Sequence, residues 1–290
     1  MFRGTITALA TPFSGGKLDS ASLEKMVEWQ IGQGVDGLLA CGCTGEAAVL
    51  TPEEHLEVVE TVLSVAGDRV PVLAGTGKND TAATLDLSLE VADTGVSGIL
   101  LITPYYNKPT PAGQIAHYTR VADAVPCPVV LYNVPGRTGT CMTPETIAEL
   151  SKHPGIAAIK DAAGDAGRVS AIRRLSDITV LSGDDHLTLA MIALGAEGVV
   201  SVVSNVAPGA TSRMVRLALE GDFSGAREIH DRLYPLMRAL FLETNPGPVK
   251  KALEMMGIFA SGRPRLPLVP LSEELVPALK RAMEEAGIRV

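Results

Sequence analysis

Lys160 ends the apolar run IAAI at residues 156–159. A cation carried at the end of such a run is headed for burial, and burying an unpaired charge is costly. Free lysine titrates near 10.4, and bringing it to about 7 corresponds to about 4.6 kcal/mol between its charged and neutral forms. Desolvation supplies effects of that order. A lysine amine made neutral in this way is a nucleophile for a keto carbonyl, with an imine as the product. The competing reading is an ion-paired or snorkelling lysine with the adjacent Asp161 as its partner. Position alone leaves these two open.

Other chemistry-bearing residues follow apolar runs in the same manner. Tyr132 ends PVVLY, and a phenol there can give a proton to a developing alkoxide or carbinolamine and take it back. A packed tyrosine with a satisfied hydroxyl is the structural alternative. Gly42-Cys43-Thr44-Gly45-Glu46 follows GLLAC. Its glycines permit positive φ and close backbone approach. Backbone N–H groups with the Thr44 hydroxyl can hold a carboxylate. Arg137, on the segment after Tyr132, can clamp a second carboxylate in two-point fashion or make a surface ion pair. Asp184, Asp185 and His186 are the types that ligate divalent ions. They have no further spaced histidine and fall where a helix N-cap is expected, so no metal site is predicted.

These residues need a frame that brings them to one place. Apolar runs recur at 5–10, 37–41, 70–75, 98–102, 128–132, 156–160, 178–182 and 198–203, each followed by polar or glycine-rich residues and then a helical pattern. Eight strand–helix units predict an α/β fold, a (β/α)8 TIM barrel, whose functional residues stand at the C-terminal ends of the strands. No G-x-G-x-x-G follows the first run, which argues against an open dinucleotide-binding sheet. Within 22–35, Leu23, Met26, Val27 and Ile31 share a face. Thr51-Pro52-Glu53-Glu54 reads as an N-cap threonine, a first-turn proline and a capping-box glutamate. Leu56, Val59 and Leu63 are the expected buried stripe behind it. Thr143-Pro144-Glu145 opens another helix, and Asp19–Ser22 and Asn79–Thr81 offer further caps. The barrel with its active site is assigned to 1–220. Helices near 222–240, 247–257 and 272–286 form a C-terminal appendage, 221–290, packed on it.

Composition narrows the partners. Hydrophobic residues make up 46% of the chain but aromatic ones only 4%, so the core must be aliphatic, as a parallel sheet buried on both faces requires. The net charge of −8 and the absence of a basic run argue against nucleic acid and anionic membrane surfaces. No apolar run is long enough for a transmembrane helix. The amino-terminal stretch reads as a first strand rather than a signal peptide. The four cysteines form no C-x-x-C pair, so reduced thiols in the cytoplasm are expected, without a zinc site or disulfide framework.

Together, Gly42–Glu46, Thr103-Pro104-Tyr105-Tyr106-Asn107, Tyr132–Gly139, Ile159-Lys160-Asp161 and Ser182-Gly183-Asp184-Asp185 carry a resemblance over nearly the whole chain. The sequence resembles the dihydrodipicolinate synthase branch of the pyruvate-dependent class I aldolase and N-acetylneuraminate lyase family. Tyr132-Asn133-Val134-Pro135-Gly136-Arg137-Thr138-Gly139 is the piece most like the synthase branch. The resemblance implies a Schiff base between Lys160 and pyruvate, with Tyr132 moving protons. It implies that the backbone at 43–44 and the Thr44 hydroxyl bind the pyruvate carboxylate, with Gly183 and Val200 lining the pocket. Arg137 would bind the carboxylate of L-aspartate 4-semialdehyde. The product would be 4-hydroxy-tetrahydrodipicolinate, for diaminopimelate and lysine biosynthesis. Tyr106 would reach into a neighbouring subunit's site, and the family implies a homotetramer built as a dimer of dimers. No metal or organic cofactor is implied.

Alternatives in other classes are a sister lyase acting on N-acetylneuraminate or 2-keto-3-deoxy sugar acids, and a non-catalytic keto-acid-binding paralogue. Arg137 argues against the first, since a polyhydroxylated substrate wants neutral partners. Two departures from the family pattern stand out. Cys43 occupies a relay position where the family usually carries a hydroxyl, and a thiol is the weaker hydrogen-bonding group. Slower turnover with an intact imine step is expected. Ala47, Pro52 and Ala83 stand where family members inhibited by lysine carry polar side chains, beside the retained His55, Asn79 and Tyr105. Weak or absent lysine inhibition is expected.

Overall fold

The structure, a computed structural model, describes residues 2–289. Eight parallel strands close into a barrel in chain order. They are β1 (Gly4–Ala8), β2 (Gly37–Ala40), β3 (Val72–Gly75), β4 (Gly98–Ile102), β5 (Val129–Asn133), β6 (Ile156–Asp161), β7 (Thr179–Ser182) and β8 (Gly198–Ser201). β8 pairs with β1 from Gly4↔Gly198 to Thr7↔Ser201 and completes the ring. Each expected apolar run contains one strand, displaced by a residue or two at its ends.

The strands read as unbroken apolar runs because both faces are covered. Alternate residues divide between two cores. Ile6, Leu39, Leu73, Leu100, Val130, Ala158, Leu181 and Val200 fill the barrel interior. Leu38, Val72, Ile99, Leu131, Ile159, Val180 and Val199 face the surrounding helices. Two-residue alternation therefore sends Tyr132 and Lys160 inward and Asn133 and Asp161 outward.

The helices begin where the sequence places their caps. Thr51 and Glu54 make a full capping box at the helix Pro52–Ala66, and the Thr143 side chain caps Pro144–Leu150. The buried faces differ in detail. On Pro52–Ala66 the buried residues are His55, Val58, Val59, Val62 and Ala66. Leu56 and Leu63 flank that stripe and are half-buried, one helical step away from the sheet. On Ser20–Gly32, Gln30 takes the buried place expected of Ile31. Gln30 can do so because Thr7 donates to its Oε1 while its Nε2 donates to the carbonyls of Ser204 and Asn205. A small antiparallel hairpin, Phe13–Ser14 with Lys17–Leu18, had no counterpart in the sequence reading.

The C-terminal segment carries helices at Phe223–Ala239, Gly247–Met255 and Val276–Glu285. It is bonded to the barrel mouth through charges. Lys250 Nζ lies 2.6 Å from Glu46 Oε1, and both side chains are essentially without solvent exposure. The Arg265 backbone N–H donates to Glu46 Oε2, and its guanidinium forms two bonds to Glu54. Burial pushes the Lys250 amine below the usual lysine range, opposed by the Glu46 charge. Removing one member of a buried pair leaves the other charge uncompensated, a loss of about 3–5 kcal/mol, whereas an apolar replacement of both is far milder. Lys250→Met is therefore expected to lower thermal stability sharply, and Glu46→Leu/Lys250→Met to recover much of it, as read by thermal unfolding. Equal losses in the single and double variants would contradict this.

Candidate active site

The inward side chains meet at the C-terminal end of the barrel. Tyr132 and Lys160 are register partners on β5 and β6. The Lys160 Nζ lies 4.3 Å from the centroid of the Tyr132 ring. Lys160 is only 5% exposed and has no ion pair among the described residues. Burial lowers its pKa, and the charges of Asp185 and Asp184 offset this only in part. Burial also pushes the Tyr132 phenol well above its usual value, reinforced by the Cys43 thiol and opposed by Arg137. The phenol is thus a held proton next to an amine biased toward neutrality.

The ion-pair alternative for Lys160 fails on geometry. Asp161 points outward, where Arg168 donates to its carboxylate through Nε and Nη2, the latter at 2.9 Å. Asn133 Nδ2 and the Ala163 N–H complete its partners. Asp185 is likewise committed, to the Ser201 hydroxyl at 2.6 Å and to the N–H groups of Val202 and Val203 at 2.9 Å each. Asp184 was expected to cap the helix after β7, but its side chain makes no cap bond there. It accepts from Gly164 N–H instead. Asp185 serves as the structural carboxylate, tying the turn after β7 to the one after β8. No group of three or more potential metal ligands occurs among the described residues.

The 42–46 segment lies against the same mouth, and its positive φ values fall elsewhere than expected. Cys41 (φ 52) and Glu46 (φ 56) take the left-handed conformation, not the two glycines. Gly45 is needed for space instead: a Cβ there would stand 3.1 Å from the Leu9 carbonyl oxygen. Non-glycine residues held at positive φ store strain of about 1–3 kcal/mol unless their surroundings over-determine them. Lys250 and Arg265 fix Glu46 in that way. The strained turn presents Cys43 and Thr44 between β2 and the helical appendage.

A cavity of about 430 Å³ opens here, lined in part by Cys43, Tyr132, Arg137, Asn245, His55 and Tyr105. Arg137 sits in the short helix Pro135–Thr138, and its Nη2 donates to the Asn245 carbonyl at 3.2 Å. Asn245 Nδ2 donates to Thr44 Oγ1 at 2.9 Å. Gly183 leaves room for the lysine, since a Cβ would lie 3.0 Å from Lys160 Cε and 2.7 Å from Ala162 Cβ. Val200 packs in the interior core below.

Of the residues singled out from sequence, Cys43, Tyr132 and Arg137 line this cavity, Lys160 lies next to Tyr132 with Gly183 beside it, Thr44 is joined to the lining through Asn245, and Val200 stays in the core below. Tyr106 does not join them within one protomer. It is 87% exposed at φ 71, outside the cavity. Sequence reasoning missed Arg168 as the partner of Asp161, Lys250 as the partner of Glu46, and the bridging role of Asn245. No local period joins residues 204 positions apart. The only signal was Asn245-Pro246, within the span of the family resemblance.

Comparison with known proteins agrees over the full length. The model of the dihydrodipicolinate synthetase family matches residues 1–286. The chain is 47% identical to 4-hydroxy-tetrahydrodipicolinate synthase of Geobacter sulfurreducens, covering 98% of this chain and 99% of that protein. It is also 47% identical to the enzyme of that name from Methanosarcina barkeri, over 99% of each. Among solved structures, dihydrodipicolinate synthase from Thermotoga maritima superposes with a TM-score of 0.97 at 41% identity, covering 99% of both chains. The chloride-inhibited enzyme from Acinetobacter baumannii, complexed with pyruvate, gives 0.97 at 43% identity over 100% of both.

The depressed Lys160 pKa has a direct readout. Only the neutral amine is nucleophilic, so a lowered pKa keeps Lys160 reactive at pH values where ordinary lysines are fully protonated. Competitive acylation followed residue by residue is expected to give Lys160 a midpoint below that of a free lysine side chain. A Lys160 midpoint at or above the free-lysine value would contradict the site's electrostatics.

Proposed function

The chain belongs to the dihydrodipicolinate synthetase family, and on that premise we propose that it is a lyase that condenses pyruvate with L-aspartate 4-semialdehyde through a Schiff base on Lys160. The observation that carries the reading is the buried, unpaired Lys160 amine 4.3 Å from the ring of Tyr132, which lines the same cavity as Arg137.

The neutral Lys160 amine adds to the keto carbon of pyruvate. Tyr132 gives its proton to the departing hydroxyl, so that water leaves and the imine forms. The resulting phenolate takes a proton from the pyruvate methyl group, leaving an enamine. The enamine carbon bonds to the aldehyde carbon of the second substrate, the imine re-forms, and Tyr132 returns its proton to the aldehyde oxygen, which becomes the hydroxyl. That substrate's amine then attacks the imine carbon and displaces Lys160, which closes the ring as 4-hydroxy-tetrahydrodipicolinate. Thr44 and the backbone at 43–44 hold the pyruvate carboxylate, while Gly183 and Val200 shape the pocket. Arg137 receives the carboxylate of the aldehyde, with Cys43 beside Tyr132 in the proton path.

Tyr106 enters a neighbouring subunit's site in a homotetramer made of two dimers. Its near-complete exposure and constrained backbone suit a residue that finds its contacts in another copy. The enzyme works in the cytoplasm without cofactor and serves lysine and diaminopimelate synthesis. Free thiols at all four cysteines suit that compartment, and no helix among the described residues is long and apolar enough to cross a membrane. Arg137 weighs against the sugar-acid lyase reading, because a guanidinium in the mouth suits an anionic aldehyde.

The purified protein is expected to consume pyruvate and aspartate semialdehyde in equal amounts. Arg137→Ala is expected to lower kcat/KM for the aldehyde on the order of 100-fold through loss of charge-assisted hydrogen bonds. Cleavage of N-acetylneuraminate or a 2-keto-3-deoxy sugar acid without this condensation would overturn the proposal.

A further inference from the structure

We propose that the Asn245 side chain is a positioning residue for the pyruvate carboxylate subsite: its amide holds the Thr44 oxygen as an acceptor and so frees the Thr44 hydroxyl proton for the ligand. This rests on the reading of Thr44 given under the proposed function.

A hydroxyl has one proton and two lone pairs, whereas an amide nitrogen can only donate. Asn245 Nδ2 lies 2.9 Å from Thr44 Oγ1, so Thr44 must accept in this contact. The Thr44 hydroxyl donates to no acceptor among the described residues. Thr44 is nearly fully buried, so few other groups surround that proton. The proton is available to one incoming group, and a carboxylate makes the strongest partner for it.

The Asn245 amide has one side-chain bond among the described residues, and it is spent on Thr44. Asn245 is 4% exposed and its Oδ1 is buried without a hydrogen-bond partner. Leaving a buried amide oxygen unsatisfied is unfavourable. The opposite arrangement, with Oδ1 accepting the Thr44 proton, would leave Nδ2 unpaired in its place and consume the donor the carboxylate needs. Asn245 also divides its two contacts between backbone and side chain. Its carbonyl holds Arg137 and its amide holds Thr44. Substituting the side chain should therefore disturb one carboxylate subsite and spare the other.

The test compares the full-length enzyme with Asn245→Ala and Asn245→Asp, varying each substrate in turn. Asn245→Ala is expected to raise the KM for pyruvate about tenfold, with kcat at saturating pyruvate and the KM for aspartate semialdehyde changing less than about threefold. Asn245→Asp, which accepts the Thr44 proton and adds a negative charge, is expected to raise the pyruvate KM further. As a near-isostere it carries the test if Asn245→Ala does not fold. Thr44→Val/Asn245→Asp should have a pyruvate KM close to that of Thr44→Val alone. Parallel rises in both KM values, an unchanged pyruvate KM, or additive effects in the double variant would each overturn the assignment. Those results against normal wild-type kinetics reject the positioning role alone. A wild-type enzyme that does not react with pyruvate rejects the parent reading, and the assignment with it.

Discussion

An amine that cannot find a carboxylate governs this molecule's chemistry. Lys160 is buried at the end of a barrel strand, and two-residue alternation places the neighbouring Asp161 on the opposite face. Arg168 and Asn133 occupy that carboxylate on the helix side. Asp185 is consumed by the turns after β7 and β8. Burial of a lysine without a bound carboxylate lowers its pKa and biases the amine toward the neutral form. An amine biased toward neutrality beside a phenol that holds its proton is the starting state that the proposed imine chemistry requires, and the barrel's hydrogen-bonding commitments set that bias.

The barrel alone does not complete the site. The loop that presents Cys43 and Thr44 is strained at both ends, at Cys41 and Glu46. Glu46 is held by Lys250 from a helix outside the barrel and by the Arg265 backbone N–H. Asn245, on the same C-terminal segment, bonds to Thr44 and to Arg137. The C-terminal segment therefore connects to both positions proposed to bind carboxylates. It does so through buried polar contacts, which define a single arrangement more sharply than apolar packing would.

Much of this was legible before any coordinates. The eight apolar runs, the Thr51 and Thr143 caps and the strand-end placement of Lys160, Tyr132 and Arg137 follow from local pattern and from the barrel's own rule about its strand ends. What escaped depends on distance along the chain or on competition between similar groups. Lys250 with Glu46 and Asn245 with Thr44 join residues that no periodicity relates. The choice of Arg168 over Lys160 as the partner of Asp161 is decided by which face each side chain takes. Gln30 displaced Ile31 from the buried face because three hydrogen bonds made an amide acceptable there. Tyr106 is picked out by motif, and in one protomer it stands exposed, away from the other site residues.

The central claim is that Lys160, and not another of the chain's lysines, carries the reacting carbonyl. Reduction with borohydride in the presence of pyruvate, followed by peptide mass spectrometry, tests it most directly. The account predicts one stoichiometric reduced adduct on the peptide containing Lys160, lost in Lys160→Arg while the fold is retained. An adduct on a different lysine, or none at saturating pyruvate, would contradict it.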